Sequence, residues 1–284
     1  MSDQGAFSHG RVPGKACFDD IYDQPDPRNY FTRLAALEYQ IPHHAQAEFR
    51  RTLAERNRAV DRAGELAVVD LCCSYGINAA LLNHDLTLAD LYAHYTDPAL
   101  GRVATEELIE RDKQFYAARR RHDAVPVIGL DIAGNALSYA MAVGLLDDAC
   151  SVNLEHDEPN AAVRRAMART GLIVATGAAS YTTDRTVSAL MDQARRPVWI
   201  SAFVLRTVDY RPVVDRLKSY GLLTRSDPAD LHPQRLFASP EEQDHAVAAV
   251  LRSGQDPRGR EDAGRYYARL YRSRPADAWA TRPA

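Results

Sequence analysis

The feature that most constrains the fold is a regular alternation of short apolar segments with helix-length segments. The apolar segments span 66–71, 125–130, 150–154, 172–175 and 198–205. They have the length of buried strands, and segments with helical periodicity separate them. Such alternation is typical of βαβ units, whose right-handed crossovers place helices on both faces of a parallel sheet. With two further short strands over 221–224 and 235–238, the sequence predicts a doubly wound α/β fold with a mostly parallel, seven-stranded sheet.

Three other parts of the chain surround or interrupt this core. Residues 1–63 are predicted to form an N-terminal arm and a helical cap, because Gly and Pro punctuate the first residues and helical periodicity follows them. The core covers 64–240 and contains a helical insertion over 84–123. C-terminal helices are predicted for 241–284, the second of them over 261–273.

The composition argues against several classes of function. The formal net charge is -3, so the basic excess typical of a nucleic-acid binder is missing. No apolar run reaches the roughly 18 residues of a membrane span, and the first residues lack the apolar stretch of a secretory signal. The four cysteines are too few for a disulfide scaffold. We therefore expect a cytoplasmic protein that acts on a small molecule, without nucleic-acid or membrane partners and with its oligomeric state left open.

Open α/β sheets bind ligands beyond the carboxyl ends of their strands, so a site is expected where the first strand ends. The sequence there reads Asp70, Leu71, Cys72, Cys73, Ser74, Tyr75 and Gly76. The dinucleotide fingerprint G-x-G-x-x-G is not met, since Cys72, Ser74 and Ile77 occupy its glycine positions. A nicotinamide-dependent oxidoreductase therefore stays only as an alternative. The motif H-E-x-x-H is also missing from the sequence, and no metal site is predicted.

The same segment resembles the first motif of class I S-adenosylmethionine-dependent methyltransferases, D-x-G-x-G-x-G. Asp70 matches the acidic residue and Gly76 the last glycine, and Cys73 lies where the family often has cysteine. Cys72 and Ser74 replace the first two glycines. The resemblance implies S-adenosylmethionine as the cofactor and places residues 70–76 around it.

The second element of the resemblance is an acid at the end of the next strand. Asp131 ends the apolar run 127–131 and is followed by Ile132. An acid at this place hydrogen-bonds the ribose in nucleotide-binding sheets. The resemblance implies the same role for Asp131, with Ile132 beside it.

Further contacts are implied at the ends of the third and fourth strands. Asp157, with Glu158 next to it, would face the adenine amino group. Alternatively, both acids simply lie at a helix N-terminus, where they complement the helix dipole. Thr176 and Gly177, which follow the fourth strand, would flank the methionine part of the cofactor.

Tyrosines and one histidine are candidates for binding the substrate. In the family an N-terminal helical segment often closes over the site, and aromatic faces attract a sulfonium, so Tyr22 and Tyr30 are expected there. Tyr181, beyond the fourth strand, is another candidate, and His43 could act as a general base. The alternatives are ordinary packing for the tyrosines and a surface position for His43.

The predicted function is therefore methyl transfer from S-adenosylmethionine to a small molecule. Displacement on an activated sulfonium depends on alignment and on exclusion of water more than on a catalytic triad. No catalytic residue is predicted. The second alternative is a methyltransferase-fold protein in which Cys72 and Ser74 close the turn, so that the chain acts as a binding or scaffold module.

Overall fold

A computed structural model describes residues 19–59 and 66–279, and the arm predicted over residues 1–17 lies outside them. The helices are α1 Asp19–Tyr22, α2 Arg28–Ala35, α3 Ile41–Ala59, α4 Ile77–Asn83, α5 Leu88–Tyr95, α6 Thr105–Ala117, α7 Gly134–Ala142, α8 Ala161–Arg169, α9 Asp184–Met191, α10 Arg211–Ser219 and α11 Pro240–Arg252. The strands are β1 Ala67–Leu71, β2 Val127–Asp131, β3 Asp148–Ser151, β4 Thr170–Thr176, β5 Trp199–Leu205, β6 Leu222–Arg225, β7 Leu231–Leu236 and β8 Arg265–Pro275. None of the described helices is long and apolar enough to cross a bilayer.

The strands form one sheet in the order β3-β2-β1-β4-β5-β8-β6. The first five of these are parallel to one another, and β8 is antiparallel to β5. β6 pairs with the carboxyl half of β8, and β7 pairs with its amino half. The described sheet therefore has eight strands, one more than predicted, because β7 and β8 both add to the antiparallel end.

The prediction of a helix over 261–273 is wrong, since most of that segment belongs to β8. Its buried residues alternate along the strand, with Tyr266, Ala268 and Leu270 on one face. This period of two is the pattern of a strand with unlike faces. The chain after residue 240 thus supplies a strand of the central sheet as well as the helix α11.

Separate hydrophobic clusters cover the two faces of the sheet. β1 contributes Val68 to one cluster, and Val69 and Leu71 to the other, as expected from the alternation of side chains along a strand. The first cluster includes residues of α2 to α5 and α7, and the second includes residues of α8 to α10. Helices on both faces leave the carboxyl ends of the parallel strands as the open edge.

The helical cap and the insertion pack on each other beside that edge. Phe31 of α2 stacks on Tyr95 of α5 at a centroid distance of 4.5 Å. Tyr95 also donates a hydrogen bond of 2.6 Å to the fully buried carboxylate of Asp112 in α6. Tyr139 of α7 bonds to the same carboxylate, so the insertion is joined to the core.

β7 is held in place by contacts on both sides. Its backbone is tied to the cap, because the carbonyl of Gln234 accepts from Gln40 N–H at 2.8 Å. On the other side, the guanidinium of Arg235 forms a two-pronged ion pair with Glu242 of α11, at 2.9 and 2.6 Å. Both of these charged side chains are almost completely buried. The strand is therefore fixed between the cap and α11.

Gly129→Ala is expected to destabilise the fold by about 1–3 kcal/mol, the usual cost of overpacking a core. Gly129 lies in the middle of β2, and an added Cβ would come within 2.6 Å of Leu146 Cδ1 and 2.7 Å of Cys73 Sγ. Gly134→Ala is the matched control, because an added Cβ meets nothing within 4 Å there. Urea unfolding of the two variants tests this, and equal midpoints would contradict it.

Candidate functional site

The turn after β1 has an unusual backbone. Cys72 and Ser74 have φ angles of 57° and 49°, and Gly76 has 76°. The left-handed region costs an ordinary L-residue roughly 1–2 kcal/mol, whereas glycine enters it freely. The positions at which the resembling motif has glycine are thus the positions with positive φ here. The turn keeps the course of a glycine-rich turn although two of its three glycines are replaced.

Asp131, at the end of β2, fastens this turn. Its Oδ2 accepts from the backbone N–H of Ser74 at 2.8 Å, and its Oδ1 accepts from the N–H of Ala133 at 2.9 Å. The residue is buried. The two acids predicted from the ends of the first and second strands therefore lie on adjacent strands, and Asp131 directly supports the turn between β1 and α4.

Asp70 lies behind the turn and bonds to a residue that the sequence analysis did not single out. Asn78 Nδ2 donates to Asp70 Oδ1 at 2.9 Å and also to Thr176 Oγ1 at 3.1 Å. Burial raises the pKa of Asp70 to about 7, and the nearby charge of Asp131 acts in the same direction. This chain of contacts links the ends of β1 and β4 across the first turn of α4.

Two connected chambers open beside the turn. The first, here called the β2 chamber, encloses about 430 Å³ and includes Ile132, Val152, Asn153 and Leu154 among its lining residues. The second, here called the tyrosine chamber, encloses about 650 Å³. Cys72, Asp131 and Tyr181 line both chambers. The result is one cleft across the carboxyl ends of β1, β2 and β4, as the strand-end rule predicts.

The tyrosine chamber takes its name from the rings of the cap. Tyr22, Tyr30 and Tyr39 line it, and the rings of Tyr22 and Tyr30 meet edge to face at 5.6 Å. Burial raises the pKa values of the Tyr30 and Tyr39 hydroxyls well above the usual tyrosine range. Both hydroxyls are therefore neutral at physiological pH and are available as hydrogen-bond partners. The expected positions of Tyr22, Tyr30 and Tyr181 at the site agree with this geometry.

Other lining residues come from the turn and the strand ends. Cys72, Cys73, Ser74, Ile77, Asn78, Thr176 and Gly177 belong to this group. Gln234 of β7 also lines the chamber and was missed from the sequence, as was Asn153 in the β2 chamber. Their only sequence signal is a polar residue next to apolar ones, which many surface segments share.

Asp157 and Glu158 do not line either chamber. Both are exposed, because the chain turns after β3 and the N–H of Asp157 bonds to the carbonyl of Asn153 at 2.7 Å. They also precede the N-cap of α8, which is Asn160. The chamber receives Asn153 from this segment instead.

His43, Tyr75 and Gly76 also lie away from the chamber linings. His43 is exposed on α3. Tyr75 is buried, and its hydroxyl accepts from the N–H of Gln24 at 2.9 Å, which ties the cap to the turn. Gly76 begins α4, where an added Cβ would lie 3.3 Å from Ala140 Cβ. Tyr75 and Gly76 thus support the turn, and His43 is not placed to act on a molecule in the cleft.

Comparisons with known proteins give relatives by structure alone. No protein-family model and no curated protein matches the chain. The plantazolicin methyltransferase BpumL in complex with SAH is similar to it with a TM-score of 0.42 and 9% identity, over 90% of this chain and 93% of that protein. Magnesium protoporphyrin IX methyltransferase from Synechocystis PCC 6803 with bound SAM has a TM-score of 0.39 and 12% identity, over 88% and 85%.

A functionally unknown protein from Deinococcus radiodurans R1 is also similar, with a TM-score of 0.40 and 16% identity over 74% of this chain and 80% of its own. The similar structures are mostly class I S-adenosylmethionine-dependent methyltransferases, in agreement with the resemblance seen in the sequence. At these scores the likeness is a general one. The function has to be inferred from the cleft itself.

Proposed function

We propose that this protein is an S-adenosylmethionine-dependent methyltransferase that acts on a small molecule. The observation that carries the proposal is the left-handed turn at Cys72, Ser74 and Gly76, fastened by Asp131 at the mouth of the cleft. A turn of this course brings backbone close to a ligand, which is the use of the glycines in the resembling motif. A scaffold whose cofactor turn had degraded would have no need to keep two non-glycine residues at positive φ.

The residues of the cleft fit the parts of the cofactor. Asp131 is placed to accept hydrogen bonds from ribose hydroxyls at the junction of the two chambers. Ile132, Val152 and Leu154 offer apolar walls for the adenine in the β2 chamber. In the tyrosine chamber the buried Ser74 Oγ has no hydrogen-bond partner, and a polar group of the aminoacyl part could supply one.

S-adenosylmethionine supplies a methyl group on a positively charged sulfur, and transfer breaks the carbon–sulfur bond, leaves its electron pair on sulfur and uses a lone pair of the acceptor for the new bond. Tyr22, Tyr30 and Tyr39 line the chamber in which that positive charge would lie, and aromatic rings stabilise such a charge. The same buried rings keep water away from the cleft. These residues thus align and shield the reacting groups.

Calorimetric titration with S-adenosylmethionine and S-adenosylhomocysteine, with NAD as the control, tests the proposal. We expect micromolar binding of the first two compounds and none of NAD. Failure of both adenosyl compounds to bind would reject the proposal, and binding of NAD alone would favour an oxidoreductase.

The Cys72→Gly/Ser74→Gly variant is expected to bind S-adenosylhomocysteine several-fold more tightly, because Cys72 lines both chambers and glycine adds room. Its stability should stay close to that of the wild type, since relief of the positive φ offsets the roughly 0.5–1 kcal/mol that glycine usually costs. Ser151→Gly, at an exposed position of β3, is the control and should show that cost in urea unfolding. Binding by the double variant but not by the wild type would mean that Cys72 and Ser74 close the site.

A further inference from the structure

Gln234 is the one buried amide that β7 brings into the tyrosine chamber. It is 5% exposed, and its Oε1 is buried without a hydrogen-bond partner. Leaving a buried acceptor unpaired is costly, so such atoms in proteins usually have a partner, be it protein, water or ligand. The position of Oε1 in the lining of a cleft makes a ligand donor the natural partner.

The surroundings of Gln234 are fixed before any ligand binds. Its backbone carbonyl accepts from Gln40 N–H at 2.8 Å, next to Tyr39, which lines the same chamber. The next residue, Arg235, is anchored by the buried ion pair with Glu242. The side-chain amide is close to Gly177 at the end of β4, where an added Cβ would lie 4.0 Å from Gln234 Nε2. The amide is therefore presented to the cleft by a rigid support.

The chamber around Gln234 carries little charge. Of the described residues that line it, only Asp131 is ionised at physiological pH, and Asp131 lies where the two chambers join. Tyr30 and Tyr39 stay neutral, as described above. Burying a charged group without a counter-charge is strongly unfavourable, so this chamber discriminates against charged acceptors. The tyrosine rings and Pro42 favour a flat group between them.

We infer that the methyl acceptor is an uncharged, planar molecule that donates an N–H or O–H hydrogen bond to Gln234 Oε1, and that Gln234 selects it. This inference rests on the proposed methyltransferase function and narrows its substrate class. The chamber must also take the aminoacyl part of the cofactor within about 650 Å³. The acceptor is therefore small, or it reaches into the chamber with one end.

Four small probes test the inference on protein saturated with S-adenosylhomocysteine. Benzamide is planar, uncharged and a donor, acetophenone is its counterpart without a donor, and benzoate and benzylammonium carry opposite charges. We expect benzamide to bind about tenfold more tightly than acetophenone, the difference made by a hydrogen bond to a buried acceptor, and the charged probes to bind still more weakly. The dissociation constants can be measured by ligand-observed NMR.

The Gln234→Leu variant separates recognition from folding. It should lose the tenfold preference for benzamide over acetophenone while its affinity for S-adenosylhomocysteine stays unchanged. Because it removes an unpaired buried acceptor, its melting temperature should be equal to or above that of the wild type. Gln243→Leu is the matched control, since Gln243 Nε2 donates to the carbonyls of Glu261 and Asp262. That variant should melt lower and keep the benzamide preference.

The outcomes are distinct for the two proposals. If S-adenosylhomocysteine fails to bind, the methyltransferase proposal is wrong. If it binds but acetophenone matches benzamide, if a charged probe binds best, or if no probe binds at millimolar concentration, the acceptor class is wrong. Unchanged benzamide binding in Gln234→Leu would likewise overturn the role of Gln234.

Discussion

Glu242→Leu is expected to lower the free energy of unfolding by about 3–5 kcal/mol, the usual cost of removing one partner of a buried ion pair. The variant leaves the guanidinium of Arg235 buried, with two of its hydrogen bonds lost. Glu242 Oε2 also accepts from the N–H of Ala238 at 2.7 Å, so the start of α11 loses a contact as well. Urea unfolding measures the change.

Two further variants make this test specific. Glu241→Leu places the same substitution on the exposed neighbour and should change the unfolding midpoint little. Arg235→Met/Glu242→Leu removes both charges and should recover a large part of the loss, because an uncompensated charge no longer remains buried. A double variant as unstable as Glu242→Leu alone would show that packing, and not the unpaired cation, causes the loss.

Asp131→Ala is expected to weaken binding of S-adenosylhomocysteine by about 1–3 kcal/mol, a loss of roughly 5- to 150-fold, because a charge-assisted hydrogen bond to the ribose disappears. The variant also frees the N–H of Ser74, which Asp131 Oδ2 holds at 2.8 Å. Asp131→Asn keeps an acceptor for that N–H and should lie between the wild type and Asp131→Ala. Calorimetry on folded protein, checked by circular dichroism, measures the affinities.

Asp157→Ala is the control for the Asp131 series. Asp157 is exposed and lies outside both chambers, so its removal should leave the affinity unchanged. A loss equal to that of Asp131→Ala would restore the adenine contact that the sequence suggested for Asp157. An Asp131→Ala variant that binds like the wild type would reject the ribose role.

The parallel half of the sheet could be predicted because its information is local. β1, β2 and β5 are buried on both faces, and a strand of that kind is a continuous apolar run. β3 was placed a few residues late, because its exposed and half-buried positions carry polar residues such as Asp148 and Ser151. The turn and Asp131 were predictable for the same local reason, since each directly follows an apolar strand.

The other side of the site depends on contacts between distant parts of the chain. Gln234 reaches the cleft only because β7 pairs with β8 and is tied to the cap at Gln40. Asn78 matters because α4 turns it between Asp70 and Thr176, which lie on different strands. No short sequence pattern records such pairings, so these two residues could not have been chosen from the sequence alone.

The position of β8 affects the order in which this protein can be made. β8 lies between β5 and β6 in the sheet, yet it is synthesised after all seven other strands. While the ribosome is still translating the segment before β8, the edge of β5 has no partner and β7 has nothing to pair with. Exposed strand edges on unfinished chains are sites of aggregation. A nascent chain of this protein therefore needs a chaperone, or a slow approach to its native state, until its last strand has emerged.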